Sequence, residues 1–230
     1  MNIILSLSED FIKLWESNKF LIGIFETLYL TFVSTLIAYF IGIPLGVLLN
    51  ITSKNGIHPN KWINVPLSFI VNIFRSIPFI VLMVALLPVS DLIVGKTYGN
   101  EAMIITLIIA AAPYVARMVE SSLKEVEFGV IEAASSMGAS NWQIITKVLL
   151  PEAKPSLIVG AVISIVTVLG YSAMASIVSG GGLGAIAIVY GHQRLNDDII
   201  WFCVILMIII VQIIQEVGMF VSRKVDKRIK

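Results

Sequence analysis

Apolar residues form five long runs along the chain, and shorter polar stretches separate them. The runs extend over residues 27–49, 67–89, 102–119, 156–178 and 199–221. Because a helix needs about 20 mostly apolar residues to cross the hydrocarbon core of a bilayer, each run predicts one transmembrane helix. The pattern therefore predicts an all-α integral membrane protein with five transmembrane helices.

The segments outside these runs predict the domain organisation. Residues 1–26 include Phe11, Leu14 and Trp15 among charged side chains, a pattern typical of a helix that lies on the membrane surface. Residues 27–221 are predicted to form one transmembrane domain, which includes a long polar loop at 120–155. Residues 222–230 form a basic tail.

Lysine and arginine predict the orientation of the chain, because both are enriched in loops on the cytoplasmic side of a membrane. They concentrate in the first loop, in and beside the loop at 120–155, and in the C-terminal tail. We therefore predict that the N-terminus lies outside, and that the C-terminus and the loop at 120–155 are cytoplasmic.

Composition agrees with a membrane protein and excludes several kinds of site. Hydrophobic residues make up 57% of the chain and charged residues only 13%, against about 25% charged in soluble proteins. The formal net charge of +1 gives no indication of nucleic-acid binding. A single cysteine, Cys203, excludes an internal disulfide and a cysteine metal cluster.

Short motifs do not predict an enzyme. The GKT at 95–97 is similar to the end of a nucleotide-binding loop, but Ser90 stands where that motif requires glycine. The GYSAM at 170–174 is similar to a nucleophile elbow, but Met174 replaces the final glycine. We therefore expect a non-catalytic protein with no metal ion or cofactor of its own.

The loop at 120–155 contains two short predicted helices, over 131–137 and 142–150. Gly138 predicts the end of the first helix, because glycine enters the left-handed conformation without steric cost. Ser140 or Asn141 can cap the second helix, which is predicted to end at Pro151. The outer face of the first helix is predicted to carry small side chains, those of Ala133, Ala134, Ser135 and Ser136. Such a segment is either an interaction surface or a linker.

One motif in this loop resembles a known family. Glu132-Ala133-Ala134, with Gly138 six residues after the glutamate and Val148-x-Leu150-Pro151 beyond it, resembles the EAA loop in the membrane subunits of ATP-driven (ABC) importers. The stretches NIFRSIPFI, SSLKEVEFGVIEAASSMGASNWQIITKVLLPEAKPSLIVG and LGYSAMASIVSGGGLG are similar to methionine-importer permeases in particular.

This resemblance implies a type I ABC importer permease fold in the cytoplasmic (inner) membrane of a prokaryote, with methionine as substrate. It implies a homodimer that works with two cytoplasmic ABC ATPase subunits, which bind ATP and Mg, and with an extracytoplasmic substrate-binding lipoprotein. Residues that the resemblance assigns to ATPase coupling are Glu132, Ala133, Ala134, Met137, Gly138, Leu150 and Pro151. Two alternatives stay open: a permease for another small or polar amino acid, and a secondary transporter or channel.

Polar positions inside the predicted spans indicate a translocation pathway, because polar groups are costly in a membrane. In the fourth span a single helical face carries Gly160, Ser164, Thr167, Tyr171 and Met174. Tight helix packing explains this face as well as pathway lining does, and the resemblance favours lining. In the second span, Ser68, Asn72, Arg75 and Phe79 are predicted to share a face, and we assign Arg75 to the pathway unless its side chain extends to the membrane surface.

Overall fold

A computed structural model describes residues 9–178 and 180–226, and in these ranges the chain is helical without β-strands. The helices are α1 (Glu9–Glu16), α2 (Lys19–Thr52), α3 (Lys61–Ser76), α4 (Phe79–Val94), α5 (Asn100–Lys124), α6 (Phe128–Ser136), α7 (Asn141–Ile144), α8 (Leu150–Glu152), α9 (Lys154–Ala175), α10 (Gly182–Ile186) and α11 (Asp197–Val225). Two π-helical turns, Ile145–Leu149 and Ala187–His192, follow α7 and α10. The all-α prediction is confirmed.

Five segments correspond to the predicted spans. Helices α2, α5, α9 and α11 are each long and apolar enough to cross a membrane. Helices α3 and α4 meet that criterion only together, and they bend by 109° where they join. Four continuous helices and one broken pair therefore account for the five apolar runs. The predicted positions of the termini, outside and cytoplasmic, stay predictions.

The prediction of one continuous helix over residues 67–89 is wrong. The helix breaks at Ile77 and Pro78, and Ile77 adopts an extended conformation with ψ of 127°. Proline has no N–H to donate, and its ring disfavours a helical conformation in the residue before it. Pro44, Pro66, Pro88 and Pro113 nevertheless lie inside helices, so proline alone did not locate the break.

The N-terminal segment forms its own short helix before the first long helix. Helix α1 is followed by Asn18, whose φ of 55° lies in the left-handed region. Helix α2 then begins at Lys19 rather than at the predicted residue 27. Phe11 and Leu14 of α1 are buried against the rest of the chain. The predicted features of residues 1–8 and of tail residues 227–230 lie outside the described residues.

Two compact units share the long helices. One unit contains the chain up to Thr35, Phe79–Ile108 and Ile165–Ile214, and the other contains Leu36–Pro78, Ile109–Ser164 and the chain from Gln215. The core of the first unit is an apolar cluster that joins α1 and α2 to α9, α10 and α11. A smaller cluster of Leu49, Val71 and Ala116 lies in the second unit.

Two glycines allow α2 and α5 to approach closely within the second unit. A Cβ atom at Gly42 would lie 2.5 Å from Val115 Cγ1, and one at Gly46 would lie 2.6 Å from the Ala116 carbonyl oxygen. Small residues spaced four apart permit such backbone contact between membrane helices. This pair therefore serves close packing between α2 and α5.

We expect Gly46→Ala to destabilise the protein, because its methyl group would collide with a backbone carbonyl that cannot rotate away. Overpacking of this kind costs about 1–3 kcal/mol. Gly129→Ala is the matched control, since a Cβ there meets nothing within 4 Å. The thermal unfolding midpoint in detergent should fall for Gly46→Ala and not for the control; equal midpoints would contradict the packing argument.

Candidate functional site

The first helix of the loop at 120–155, α6, ends in a tightly hydrogen-bonded turn. The amides of Met137 and Gly138 donate to the carbonyls of Ala133 and Ser135 at 3.1 and 2.9 Å, and the Ala139 amide donates to Ala134 at 3.1 Å. Gly138 has a φ of +83°. The predicted left-handed stop at Gly138 is confirmed.

The second helix starts immediately after this turn with a reciprocal cap. The Ser140 hydroxyl accepts from the Gln143 amide at 3.3 Å, while the Gln143 side chain accepts from the Ser140 amide at 2.8 Å. Such a capping box satisfies two amides that would otherwise lack partners. The helical path continues through Pro151 to Glu152, so the predicted end at Pro151 is wrong by one residue.

Most of the side chains assigned to coupling are exposed on this helix-turn-helix. Met137 is 82% exposed, and Glu132, Ala133, Gly138 and Pro151 are also exposed. Leu150 is half-buried. Ala134 is only 7% exposed, so its predicted place on the outer face is wrong: its side chain packs inward and its carbonyl closes the turn.

Exposed side chains of very different size lie on α6, in the turn at Gly138 and at the start of the next helix. Small side chains lie on both sides of the protruding Met137, and the rings of Phe128 and Trp142 are 65% and 72% exposed. On the other side of the segment, Ile144, Ile145 and Leu149 are buried and attach it to its own unit. The exposed and the buried side chains therefore belong to one hydrogen-bonded element.

The polar face of α9 has two parts with different surroundings. Ser164 is fully buried, donates to the Gly160 carbonyl at 2.8 Å and lies 3.2 Å from the Tyr39 hydroxyl. It therefore belongs to the packing between α2 and α9 rather than to an open face. Thr167 and Tyr171 are half-buried, and Met174 is 49% exposed.

Tyr171 packs against the side chain of Phe79, which the sequence pattern assigned to a different helical face. The Phe79 ring stacks on the Tyr171 ring with centroids 4.3 Å apart and planes 1° from parallel. Phe79 begins α4 directly after the helix break, so the break removes it from the predicted shared face with Ser68 and Asn72. Arg75 is exposed in the last turn of α3.

A charged network that the prediction missed joins α3 to α5. The Glu120 carboxylate is almost fully buried and forms ion pairs with Arg117 and, at 2.7 Å, with Lys124. Arg117 also donates to the Asn72 side chain at 2.9 Å and to the Ser68 carbonyl at 3.3 Å. The spacing of Arg117, Glu120 and Lys124 by three and four residues could have predicted these ion pairs, because residues at that spacing are neighbours on a helix.

A second missed cluster holds the glycine-rich loop before α10. The Gly182 amide donates to the Glu26 carboxylate at 2.7 Å, and the Gly181 amide donates to the Asn100 side chain at 3.1 Å. A Cβ on Gly181 would lie 2.3 Å from that carboxylate. The loop is therefore fixed against α2 and α5. Among the described residues no group of three or more His, Cys, Asp or Glu side chains could hold a metal ion.

Comparison with known proteins identifies relatives over nearly the whole chain. A family model described as binding-protein-dependent transport system inner membrane component matches residues 42–230. A probable D-methionine transport system permease protein MetI of Vibrio cholerae is 48% identical over 213 residues, which cover 93% of this chain and 95% of that protein. The methionine import system permease protein MetP of Bacillus subtilis is 43% identical over 95% of this chain and 96% of its own length.

The fold also matches solved structures. A chain from inward-facing conformations of the MetNI methionine ABC transporter superposes with a TM-score of 0.91 at 43% identity, covering 96% of this chain and 100% of that chain. A chain from an amino acid ABC transporter crystallised with histidines superposes with a TM-score of 0.78 at 18% identity, which shows the shared fold alone.

We expect a cysteine at Met174 to react with a water-soluble thiol reagent and a cysteine at Val162 not to react. Both positions lie on α9, but Met174 is 49% exposed whereas Val162 is 8% exposed and contacts the α11 backbone at Gly218. The native Cys203 is fully buried, so background labelling should be low. If the two cysteines are labelled at equal rates, as measured by mass shift, the assignment of Met174 to an exposed face of α9 is wrong.

Proposed function

Since the chain belongs to the family of binding-protein-dependent transport system inner membrane components, we propose that it is the permease subunit of an ATP-driven methionine importer. The single observation that carries this proposal is the agreement in sequence and fold, over almost the full length, with the permease of a methionine ABC transporter. The chain itself is a transport subunit, and ATP hydrolysis belongs to a partner ATPase.

The match to the MetNI transporter supports an ATPase partner and a pair of permease chains in the proposed assembly. We place two copies of this chain in the inner membrane, with two cytoplasmic ATPase subunits that bind ATP and Mg and a substrate-binding lipoprotein on the outer side. Membrane lipid surrounds the helices, and no nucleic acid is involved. In this assembly α6 and the turn at Gly138 are the surface that docks on the ATPase.

Coupling in this proposal depends on a stiff docking element. The exposed Glu132, Ala133 and Met137 would enter a groove of the ATPase, while Ala134 closes the turn from the inside and Leu150 with Pro151 continues the second helix. Because the turn is closed by its own hydrogen bonds, a movement of the ATPase would displace the whole element. Closure of the ATPase pair on ATP would then reorient the attached helices.

The proposed substrate face is the later part of α9. Thr167, Tyr171 and Met174 offer a hydroxyl, a ring and a thioether, and thioether–aromatic contacts are worth about 0.3–1.5 kcal/mol. Such weak contacts suit a side chain that passes rather than stays. Arg75, exposed at the helix break, is proposed to meet the carboxylate that all amino acids carry, so it would not discriminate between side chains.

We expect Gly138→Val to uncouple ATP hydrolysis from transport while leaving the membrane fold intact. A β-branched residue at a φ of +83° is strained by roughly 1–2 kcal/mol, and no neighbour lies within 4 Å of the new Cβ, so the strain acts through the backbone. Substrate-stimulated ATPase activity of the reconstituted complex should fall by up to about tenfold, the factor that 1.4 kcal/mol represents.

Two substitutions control for this effect. Gly138→Asn should retain more coupling, because asparagine tolerates the left-handed conformation better than other residues with a Cβ atom. Gly95→Val, which places a β-branched residue at a φ of +69° outside the docking segment, should behave as the unmodified protein because its Cβ also meets only open space. Unchanged coupling in Gly138→Val would refute the proposed role of the turn.

The substrate itself is tested by uptake. Cells that lack their own methionine importer should take up labelled methionine when this chain is restored together with its ATPase and binding protein. A variant of the ATPase that cannot hydrolyse ATP provides the control, because it separates coupled import from leakage. Entry of lysine or glutamate without methionine would refute the substrate proposal, and uptake that does not need the ATPase would indicate a secondary transporter or channel.

A further inference from the structure

A cavity of about 310 Å³ lies where α1, α2 and α11 meet within the first unit. Its wall includes Trp15 of α1, Phe20 and Ile24 of α2, and Leu206 of α11, with Asn18 as the polar member. Phe202 stacks edge-on against Phe20 and Trp15, with centroid distances of 4.7 and 6.0 Å. The aromatic side of the cavity is therefore packed in place, and the remaining walls are aliphatic.

Two cations converge on the ring of Tyr190, which packs against the apolar cluster that includes Phe20. The Lys19 ammonium lies 5.6 Å from the centre of the Tyr190 ring and donates to its hydroxyl at 3.4 Å, while the Arg194 guanidinium lies 4.8 Å from the same ring. Asp10 pairs with Arg194 at 3.3 Å, and in the described part of the chain Lys19 has no carboxylate within ion-pair distance. The Lys19 ammonium is exposed and can therefore pair with an anionic group.

The position of Lys19 links the two features. It stands in the chain between Asn18 and Phe20, both of which line the cavity. A ligand that fits must therefore combine an apolar part with an anionic group a short distance away. A free anion would pair with Lys19 but leave the cavity empty. A purely apolar molecule would fill the cavity but leave Lys19 without an anionic partner.

We propose that this cavity binds one anionic phospholipid, with part of an acyl chain in the cavity and its phosphate on Lys19 and Arg194. The chain belongs to a family of inner membrane proteins, so the ligand surrounds it at high concentration. Basic side chains near a membrane surface each contribute about 1 kcal/mol to the binding of anionic lipid. A lipid held here would bridge α1, α2 and α11 on both sides of Asn18.

The test uses Trp15, which lines the cavity, as the reporter. In the full-length chain the other tryptophans, Trp62, Trp142 and Trp201, are exposed and can be replaced by phenylalanine. The purified protein in detergent is then titrated with phosphatidylglycerol that carries bromine on its acyl chains, which quenches tryptophan fluorescence on contact. We expect quenching that saturates near one lipid per chain, and about fivefold weaker binding for Lys19→Gln.

Lys13→Gln is the matched control, because Lys13 is a cation of the same segment that pairs with Glu9 at 3.7 Å and does not line the cavity. It should leave the midpoint unchanged, and Leu206→Phe, which fills the cavity, should abolish the saturable phase. If Leu206→Phe lowers the thermal unfolding midpoint, Ile24→Phe takes its place. Brominated phosphatidylcholine should bind more weakly than phosphatidylglycerol.

Three outcomes would overturn the proposal. Quenching that rises without saturation and equally in Lys19→Gln and Lys13→Gln would mean that Trp15 senses bulk lipid. Equal midpoints for the two headgroups would remove the role of the cations. Displacement of the lipid by millimolar inorganic phosphate would indicate a free-anion site in place of a lipid site.

Discussion

An interruption of a helix that is shielded from water must find partners for its backbone amides within the protein, because hydrocarbon supplies none. The glycine-rich loop before α10 illustrates how strictly this holds. Its amides are taken by Glu26 and Asn100, and the next amide, at Leu183, donates to the Thr27 hydroxyl at 2.9 Å. The glycines allow these contacts, since side chains at Gly181 or Gly182 would occupy the space of the groups that accept the bonds. A carboxylate in a largely apolar segment thus has a structural role.

The turn at Gly138 in the loop at 120–155, which is predicted to be cytoplasmic, closes its backbone hydrogen bonds with local residues. Carbonyls in the last turn of α6 accept the amides around Gly138, and Ser140 with Gln143 closes the start of the next helix. Because the partners are only three to five residues apart in the chain, the segment keeps its shape independently of what binds to it. That independence is what a docking element needs if it is to pass a displacement to the membrane helices in the proposed transport cycle.

A buried charge needs charged or hydrogen-bonding partners, because the attraction within an ion pair must offset the free energy that both ions lose when they leave water. Glu120 is compensated by two cations, Arg117 and Lys124, and Arg117 has further acceptors on α3. Arg75 has none of these contacts and is exposed. The sequence drew attention to Arg75 because it lies inside an apolar run, whereas the arginine that joins α3 to α5 is Arg117, at the end of another run.

The amino-acid sequence by itself determined the features that depend on local periodicity and local hydrogen bonds: the five apolar segments, the short helix at the N-terminus, the left-handed stop at Gly138 and the family. Contacts between distant segments decided the rest. Ser164 and Tyr171 share one helical face, yet Ser164 is buried against α2 while Tyr171 stacks on Phe79. Several prolines lie inside helices and only Pro78 coincides with the 109° bend, because packing around a proline, rather than the residue itself, determines whether a helix continues through it.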